Sequence, residues 1–347
     1  MNLSRGLSLA ALAVLALIPA CNSGGGSGQV KVAIVTNNPN DWWNIAEAGA
    51  TKAAKECNVE LDFRRPQPDT TAEQKKIIDA LVSQGVKGIA VSVLDPTNQK
   101  DYLNTIAAQT QLITMDNDSP ESKRLCYVGT DNYEAGKAVG RLVKECVPGG
   151  GTIVIFVGRI EPLNARQRFQ GVVDELAGEK DAKGPQFGKY TLLDNQAQTD
   201  EGDEKKAKDR AAAVINRDEI KAAPDKVCMI GLWAYNPPAI LAAVKNAGLE
   251  RKVKIVGFDE KRDTLKGIED GEVHGTVVQD PFEFGYRSVK ILAELVQGKL
   301  KPEEVPPLQH VDYRVITKDG GTDPATGKPR HKAAEFQKQL DELMKKP

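Results

Sequence analysis

The sequence is poor in the residues that bind transition metals. Its 347 residues include three histidines and five cysteines, and no two cysteines are spaced as a C-x-x-C pair. The histidines (His274, His310 and His331) are scattered and would not add ligands to a common motif. We therefore expect no metal site.

Catalytic and nucleotide-binding motifs are also missing. The chain has no G-x-S-x-G, no H-E-x-x-H, and no G-x-G-x-x-G after its first predicted strand. The nearest approach to a phosphate-binding loop, from Gly321 to Lys328, has the wrong spacing. These absences predict that the chain is not an enzyme and needs no cofactor.

Neither sign of charge is in excess. Lysine and arginine together number 47, aspartate and glutamate number 48, and the formal net charge is −1. Proteins that bind nucleic acid concentrate basic residues against the phosphates, so this balance argues against nucleic acid as a partner.

One long apolar run is present, close to the start of the chain. Leu7–Ile18 follows a single basic residue, Arg5, and precedes Ala20-Cys21, which is the layout of a secretory signal and too short to span a bilayer. It resembles a bacterial lipoprotein signal. We therefore predict a lipoprotein signal peptide over residues 1–20, lipidation at Cys21 and a flexible tether over 21–29, so that only the lipid touches a membrane. The alternative is an ordinary signal peptide with an incidental cysteine.

The remaining cysteines have no pattern that fixes their state. Cys57, Cys126, Cys146 and Cys228 could form one or two disulfides in an oxidising exterior, and sequence alone cannot choose among the three full pairings. Buried free thiols are an equally good interpretation.

Strands and helices alternate along the chain in two series. The first series has strand-like runs at Val30–Val35, Val59–Phe63, Gly88–Val93, Gln111–Met115 and Leu125–Val128, with helices that include Ala46–Glu56 and Ala72–Gln84. The second has strands at Thr152–Val157, Tyr190–Leu193, Val227–Leu232, Val253–Phe258 and Val273–Val278. This alternation predicts parallel sheets covered by helices on both faces, and a length beyond about 300 residues favours two domains. A helix at Phe282–Val296, an edge strand at Leu308–Thr317 and a short C-terminal helix should follow.

Aromatic and short polar side chains cluster where the predicted strands end. All three tryptophans (Trp42, Trp43 and Trp233) lie there, together with Asn37, Asn38, Asp116, Asn117, Asp118, Asp131, Asn132, Asp259 and Gln279. For one tryptophan alone, core packing is the better interpretation, and Asp131 and Asn132 are more simply turn and helix-cap residues. Ligands of open α/β sheets bind outside the carboxyl ends of the strands, so the set predicts a pocket for an uncharged, hydroxyl-rich molecule.

Several segments, in order, resemble the type I periplasmic solute-binding proteins of the ribose- and galactose-binding kind. They are Asn37-Asn38-Pro39, Gly88–Ser92, Ile113–Asp116, Gly129–Asn132, Ala165–Arg168 with Gly171, Val256–Asp259 and Thr276–Gln279. The resemblance implies two doubly wound parallel-sheet lobes joined by a three-crossing hinge. Residues 30–130 and 280–308 would form the N-terminal lobe, 131–279 and 309–319 the C-terminal lobe, and 320–347 a C-terminal loop and short helix.

The same resemblance implies roles for individual residues. The hydroxyl-binding side chains would be Asn38, Asp116, Arg168, Asp259 and Gln279, and the stacking aromatics Trp42 and Trp43. Asn117 stands where ribose binders carry arginine, and Trp233 falls near the position where they carry an asparagine. The pocket therefore differs from that of the ribose binders, and ribose itself is not the expected ligand.

The implied function is that of a monomeric, lipid-anchored receptor, periplasmic or on the cell surface. It would capture a monosaccharide and deliver it to an ABC-type permease. A second hypothesis is a sensor that presents a sugar or sugar-like signal to a membrane receptor. An enzyme acting on sugars, with paired aspartates as acid and base, is a third.

The leader generates the first testable prediction. Replacing Cys21 with serine should release soluble protein from the membrane fraction, because each buried methylene of the attached lipid stabilises the anchor by roughly 0.8 kcal/mol. Fractionation and mass spectrometry of the mature N-terminus check this. A native product that is soluble and begins at another residue would contradict it.

Overall fold

The structure is a computed structural model that describes residues 29–345. The predicted signal peptide, Cys21 and the tether up to residue 28 lie outside these residues. Within residues 29–345, the structure contains no helix with the length and apolarity needed to cross a bilayer.

The N-terminal half alternates strands and helices as the sequence predicts. Its elements are β1 (Lys31–Val35), α1 (Trp43–Cys57), β2 (Glu60–Arg64), α2 (Thr71–Ser83), β3 (Gly88–Val91), α3 (Pro96–Ala107), β4 (Gln111–Met115) and β5 (Tyr127–Gly129). Helix α1 begins earlier than the predicted Ala46, because the amide side chain of Asn40 accepts from the backbone N–H of Trp42 and starts the turn. Trp43 therefore lies in the first helical turn.

The C-terminal half repeats this alternation with more, shorter strands. The helices and strands up to the second hinge crossing are α4 (Asn132–Cys146), β6 (Gly151–Val157), α5 (Leu163–Ala177), β7 (Gln186–Phe187), β8 (Tyr190–Leu192), β9 (Gln198–Thr199), α6 (Glu204–Ile215), α7 (Asp218–Ala222), β10 (Val227–Gly231), α8 (Asn236–Asn246), β11 (Lys254–Phe258), α9 (Arg262–Glu269) and β12 (Gly275–Val278). After them come α10 (Pro281–Val296), β13 (Leu308–His310), β14 (Arg314–Thr317), β15 (Gly321–Thr322), β16 (Pro329–Lys332) and α11 (Ala333–Lys345).

These strands form two sheets with the same internal order. The N-terminal sheet runs β2-β1-β3-β4-β5-β13, and all its pairs are parallel. In the C-terminal sheet, β8-β6-β10-β11-β12 repeats the order of the first five strands, and β14, β16 and β15 extend its edge. Strands buried on both faces, such as β3 and β10, need helices on each side of the sheet. The prediction of two doubly wound lobes is confirmed.

Three chain crossings join the lobes. Two lie between β5 and α4 and between β12 and α10, where the sequence places them. The third differs from the prediction: Gln309 and His310 still pair with β5 in the N-terminal sheet, and β14 pairs with β12 in the C-terminal sheet. The predicted single strand Leu308–Thr317 is therefore two strands in different sheets, and the crossing occupies 311–313 instead of following residue 308.

The C-terminal segment is more ordered than the predicted loop and short helix. Strand β16 runs parallel to β14, β15 folds back on β16, and α11 buries Phe336 in the core of the C-terminal lobe. The buried carboxylate of Asp323 accepts from Nε of Arg141 on α4 at 3.0 Å. Residues 320–345 are therefore part of the C-terminal lobe.

Each lobe contains one pair of helices in close contact through glycines. A Cβ added to Gly49 on α1 would lie 2.0 Å from the carbonyl oxygen of Phe282, and one on Gly285 of α10 would lie 1.9 Å from that of Ala46. In the C-terminal lobe, a Cβ on Gly136 of α4 or on Gly171 of α5 would meet backbone oxygen of the facing helix within 2.3 Å. Backbone oxygens cannot move aside as flexible side chains do, so these positions require glycine.

The close contact between α1 and α10 predicts how one added methyl group changes the stability of the protein. Gly49→Ala should lower the free energy of unfolding by about 1–3 kcal/mol, because α1 and α10 must separate, although alanine favours an isolated helix. Urea denaturation measures the change. Gly149→Ala is the matched control, since a Cβ there meets nothing within 4 Å. Equal stability of the two variants would contradict the packing argument.

Candidate functional site

The carboxyl ends of the two sheets face each other across a cavity. It is lined by Asn37, Asn38, Asn40, Trp42, Trp43, Asp116, Asn164, Arg168, Trp233, Ala234, Tyr235, Asp259 and Gln279. Eight of the nine residues predicted to bind ligand lie in this lining, and Asn117 does not.

The lining also holds residues that were not proposed as ligand contacts. Asn37 belongs to the polar group at the strand ends, whereas Asn40, Asn164, Ala234 and Tyr235 did not appear in the sequence argument. Tyr235 follows Trp233 by two residues at the same strand end, and Asn164 directly precedes the matched segment Ala165–Arg168. Extending the strand-end argument by two residues would have found Tyr235, and extending the matched segment by one residue would have found Asn164.

Two aspartates occupy equivalent positions in the two lobes. Asp116 follows β4 with φ of 62°, and Asp259 follows β11 with φ of 65°. Non-glycine residues seldom adopt this left-handed conformation, and where they do the strain of about 1–3 kcal/mol often accompanies a functional site. Each lobe thus turns one buried carboxylate towards the cavity with the same backbone geometry.

Asp116 is held by donors from its own lobe. Its Oδ2 accepts from Oγ of Ser92 at 2.7 Å and from Nδ2 of Asn37 at 3.4 Å. Burial raises the pKa of Asp116 to about 6, although the positive charge of Arg168 and the bond from Ser92 act in the opposite direction. Its carbonyl oxygen lies 2.9 Å from the Tyr127 hydroxyl, which also lies 3.0 Å from the carbonyl oxygen of Thr130 at the first hinge crossing, so the two carbonyls share one hydroxyl proton. The carboxylate is therefore fixed relative to the hinge.

Arg168 brings the positive charge of the site. The side chain is 2% exposed, its Nε donates to Asn132 at 2.8 Å, and its Nη1 donates to the carbonyl oxygen of Leu232 at 3.0 Å. The guanidinium lies 3.9 Å from the ring centroid of Phe258. These contacts fix the plane of the guanidinium and leave its Nη2 with no partner among residues 29–345.

Asp259 and Gln279 form a second fixed pair. Nε2 of Gln279 donates to Oδ1 of Asp259 at 2.9 Å, and Oδ2 of Asp259 lies 3.9 Å from Nη1 of Arg168. Burial raises the pKa of Asp259, while the charge of Arg168 and the bond from Gln279 lower it. Gln279 stands at the second hinge crossing, so this contact also ties the site to the hinge.

The tryptophans form parts of the cavity wall in both lobes. Trp42 and Trp43 meet edge to face with centroids 5.0 Å apart, and Trp233 meets Tyr235 in the same way at 6.2 Å. Trp43 is 1% exposed, and its Nε1 donates to Oδ1 of Asn38. Nδ2 of Asn38 in turn donates to Asn37, so the amide of Asn38 is already engaged within its own loop.

Asn117, predicted to contact ligand, has a different position. It is fully buried, its Nδ2 donates to the carbonyl oxygen of Val93, and its Oδ1 accepts from the backbone N–H of Asn164 at 2.9 Å. The left-handed turn at Asp116 sends the next side chain away from the cavity. Asn117 therefore links the two lobes beside the cavity without lining it.

A second contact between the lobes lies at the outer edge of the cleft. Nη1 of Arg159 lies 3.0 Å from Oδ2 of Asp69 and donates to the carbonyl oxygen of Asp69 at 3.2 Å. Together with the Asn117–Asn164 bond, this ion pair holds the lobes in a closed arrangement around the cavity.

Five buried polar atoms of the lining have no hydrogen-bond partner within residues 29–345. They are the donors Nε1 of Trp42, Nε1 of Trp233 and Nη2 of Arg168, and the acceptors Oδ1 of Asn164 and Oε1 of Gln279. Each unsatisfied buried group costs roughly 1–3 kcal/mol, so such groups seldom collect in one place without a ligand to satisfy them. The cavity can therefore hydrogen-bond a small molecule that both donates and accepts. Over the same residues, no group of three or more histidine, cysteine, aspartate or glutamate side chains could hold a metal ion.

Comparison with known proteins agrees with this geometry. A profile of the periplasmic binding protein domain matches residues 32–300. A ribose import binding protein from Haemophilus influenzae is 23% identical over 315 residues, which cover 89% of this chain and 99% of that protein. The crystal structure of GanP, a glucose-galactose binding protein from Geobacillus stearothermophilus, is 29% identical with a TM-score of 0.73, covering 84% of this chain and 98% of that one. A XylFII-LytSN complex matches at 25% identity and a TM-score of 0.73, with the same coverage. The two relatives whose names state a role are binding proteins, in agreement with the prediction that the chain is not an enzyme.

The buried carboxylate of Asp116 generates a prediction about stability. Because its pKa is about 6 in the fold and near 3.8 when exposed, ionisation destabilises the fold, and stability is lost as pH rises between those values. Asp116→Asn should therefore raise the free energy of unfolding by up to about 3 kcal/mol at pH 7 and by little at pH 4. Urea titrations at both pH values measure this, with exposed Asp101→Asn as the control. A gain that is the same at both pH values would contradict the assignment.

Proposed function

We propose that this chain, which belongs to the periplasmic binding protein family, captures an uncharged monosaccharide between its lobes and delivers it to an ABC-type permease. The observation that carries the proposal is the set of unpartnered donors and acceptors inside an aromatic-walled cavity. Each sugar hydroxyl can donate one hydrogen bond and accept two, so a ring of hydroxyls can satisfy both kinds of group.

The charges of the cavity favour a neutral ligand. Asp116 and Asp259 contribute two carboxylates, and Arg168 contributes one positive charge. An anionic ligand such as a sugar phosphate would meet a net negative surface, which is unfavourable by Coulomb's law in a site that excludes water.

We assign roles from the positions of free polar atoms. Arg168 would donate through Nη2 to a hydroxyl or ring oxygen, Asp116 and Asp259 would accept from hydroxyls, and Gln279 would accept through its free Oε1. Trp42 and Trp233 come one from each lobe. Trp42 would pack its ring face against the apolar surface of the sugar, and Trp233 would donate to the sugar through its free indole N–H group. Asn38 and Trp43 would shape the wall, since Nε1 of Trp43 already donates to Asn38 and Nδ2 of Asn38 donates to Asn37.

Capture would follow from lobe closure about the three crossings. The cavity has walls from both lobes, and the Asp69–Arg159 and Asn117–Asn164 contacts exist only when the lobes are together. A ligand that bridges the lobes binds the closed form better and shifts the population towards it. The names of the similar ribose and glucose-galactose binding proteins support a sugar as that ligand. We further propose that the chain acts as a monomer held at a membrane by lipid on Cys21.

A sensor that presents the bound sugar to a membrane receptor is the second candidate. The observation that favours it is the similarity to a chain of the XylFII-LytSN complex, a structure in which two components are bound to each other. Both candidates use the same cavity and the same closed form. They differ in the partner that recognises this form, so co-purification with a permease or with a signalling receptor separates them.

The test is isothermal titration calorimetry with a panel of aldopentoses and aldohexoses. We expect saturable binding of one or a few of these sugars, and none of sugar phosphates or amino acids. Arg168→Ala should weaken binding by about 10- to 100-fold, as expected for loss of charged hydrogen bonds to the ligand. Arg166→Ala is the matched control, because Arg166 lies on the same helix with its side chain exposed.

Two results would contradict the proposal. One is a folded protein that binds no sugar of the panel by calorimetry and shows no rise in melting temperature with any of them. The other is equal sugar affinity in Arg168→Ala and Arg166→Ala, which would place the ligand away from this cavity. Asp259→Asn, nearly equal in shape to the native residue, repeats the second comparison if Arg168→Ala does not fold.

A further inference from the structure

Two cysteines of the C-terminal lobe lie side by side. Cys146 is the last residue of α4 and Cys228 is the second residue of β10, and their Sγ atoms are 3.8 Å apart although 82 positions separate them in sequence. Cys228 is buried and Cys146 is half-buried, and both pack in the core of the C-terminal lobe.

We propose that Cys146 and Cys228 are joined by a disulfide bond in the mature protein. The inference does not depend on the identity of the ligand, and it resolves a pairing that the sequence leaves open. Cys57, at the end of α1, and Cys126, before β5, both belong to the core of the N-terminal lobe. They therefore lie in a different lobe from the proposed pair.

Local geometry allows the bond to form with a small movement. A disulfide needs the sulfur atoms at about 2.05 Å, so the observed separation must shorten by less than 2 Å. Cys228 is fixed within a central strand, paired with β6 on one side and β11 on the other. Cys146 is at a helix end, and the next residue, Val147, has already left helical geometry with φ of −131°. The helix end can therefore adjust towards the strand.

The compartment supplies the oxidant. Members of the periplasmic binding protein family work outside the cytoplasm, where disulfides form and persist. The co-reactant is a thiol oxidoreductase in its disulfide form, and the reaction is two successive thiol–disulfide exchanges.

The different exposure of the two thiols sets the order of the two exchanges. The half-exposed Cys146 attacks the oxidant as a thiolate, forms a mixed disulfide and displaces one sulfur of the oxidant. Cys228 then loses its proton to solvent and attacks Sγ of Cys146, which releases the oxidant as a dithiol carrying the two electrons. Burial raises the pKa of the Cys228 thiol well above its ordinary value, which makes it the second thiol to react.

The proposed bond lies away from the cavity, so it should affect the stability of the C-terminal lobe and not the binding of ligand. Helix α4 begins at the first hinge crossing, and Cys146 is at its far end. The carboxyl end of β10 leads to Leu232 and Trp233 at the cavity, whereas Cys228 lies near the opposite end of the strand. The disulfide would fasten this helix to the centre of the sheet, so that the C-terminal lobe moves as one body, without contacting the cavity.

Thiol counting on the exported protein tests the proposal directly. The native protein is denatured and alkylated without reductant, then digested and examined by mass spectrometry. We expect alkylated peptides containing Cys57 and Cys126, and one disulfide-linked pair of peptides containing Cys146 and Cys228 that separates on reduction. Alkylation of all four cysteines before reduction, or linkage of either Cys146 or Cys228 to another cysteine, would overturn the proposal.

Thermal unfolding gives a second, independent readout. A disulfide between residues 82 positions apart lowers the conformational entropy of the unfolded chain and so stabilises the fold. Reduction should therefore lower the melting temperature of the native protein by roughly 5–10 °C. Reductant should not affect Cys146→Ser, whereas the controls Cys57→Ser and Cys126→Ser should keep the full response. A native protein whose melting temperature does not respond to reductant would contradict the bond. If Cys146→Ser does not fold, the thiol count on the native chain still decides the question.

Discussion

The guanidinium of Arg168 is the group on which the architecture of the cleft depends. It is a positive charge buried between two lobes, with carboxylates from both lobes near it, and an isolated charge in such a place would be very costly. Its position is fixed by Asn132 at the start of α4 and by the Leu232 carbonyl at the end of β10. Helix α5, which carries it, can approach α4 closely because Gly136 and Gly171 have no Cβ. The placement of one charge therefore requires a helix pair, a strand end and a hinge crossing to be correct together.

Much of this arrangement is accessible from sequence, because it follows from local pattern. Alternating apolar runs and helical spacing predict two series of βα units, and parallel strands bring their carboxyl ends to a common edge, which places Asp116, Asp259 and Gln279 in one region. Arg168 lies on a helix, and only the family resemblance adds it to this set. The errors arise where neighbours in space override local pattern. Asn117 follows Asp116 in sequence, but the left-handed turn between them directs the two side chains to different places. The alternation of Leu308–Thr317 is that of one strand, and only pairing with β5 and β12 shows that its halves belong to different sheets.

The backbone strain at the strand ends and the unpartnered polar atoms within the cavity have the same effect on stability. Left-handed aspartates, carboxylates with raised pKa and unpartnered indole N–H groups each lower the stability of the closed protein. A fold with a large core can carry these costs, and they are concentrated in the one region where a ligand can offset them. The stability of the lobes and the affinity of the cleft are therefore opposed at the same residues, while the cysteine pair lies where it affects stability alone.

The C-terminal segment, residues 320–345, covers a sheet edge through which copies of the protein could otherwise associate. Without it, β14 would be the last strand of the sheet, and its buried Val315 and Ile316 would lie on an open row of backbone N–H and C=O groups. Such an edge is a template for strand addition by another chain and for aggregation. Strand β16 covers this row with a sequence that contains a proline and three basic or imidazole side chains, and β15 beyond it is two residues long. The sheet therefore ends in a short, polar border that offers little to a second molecule.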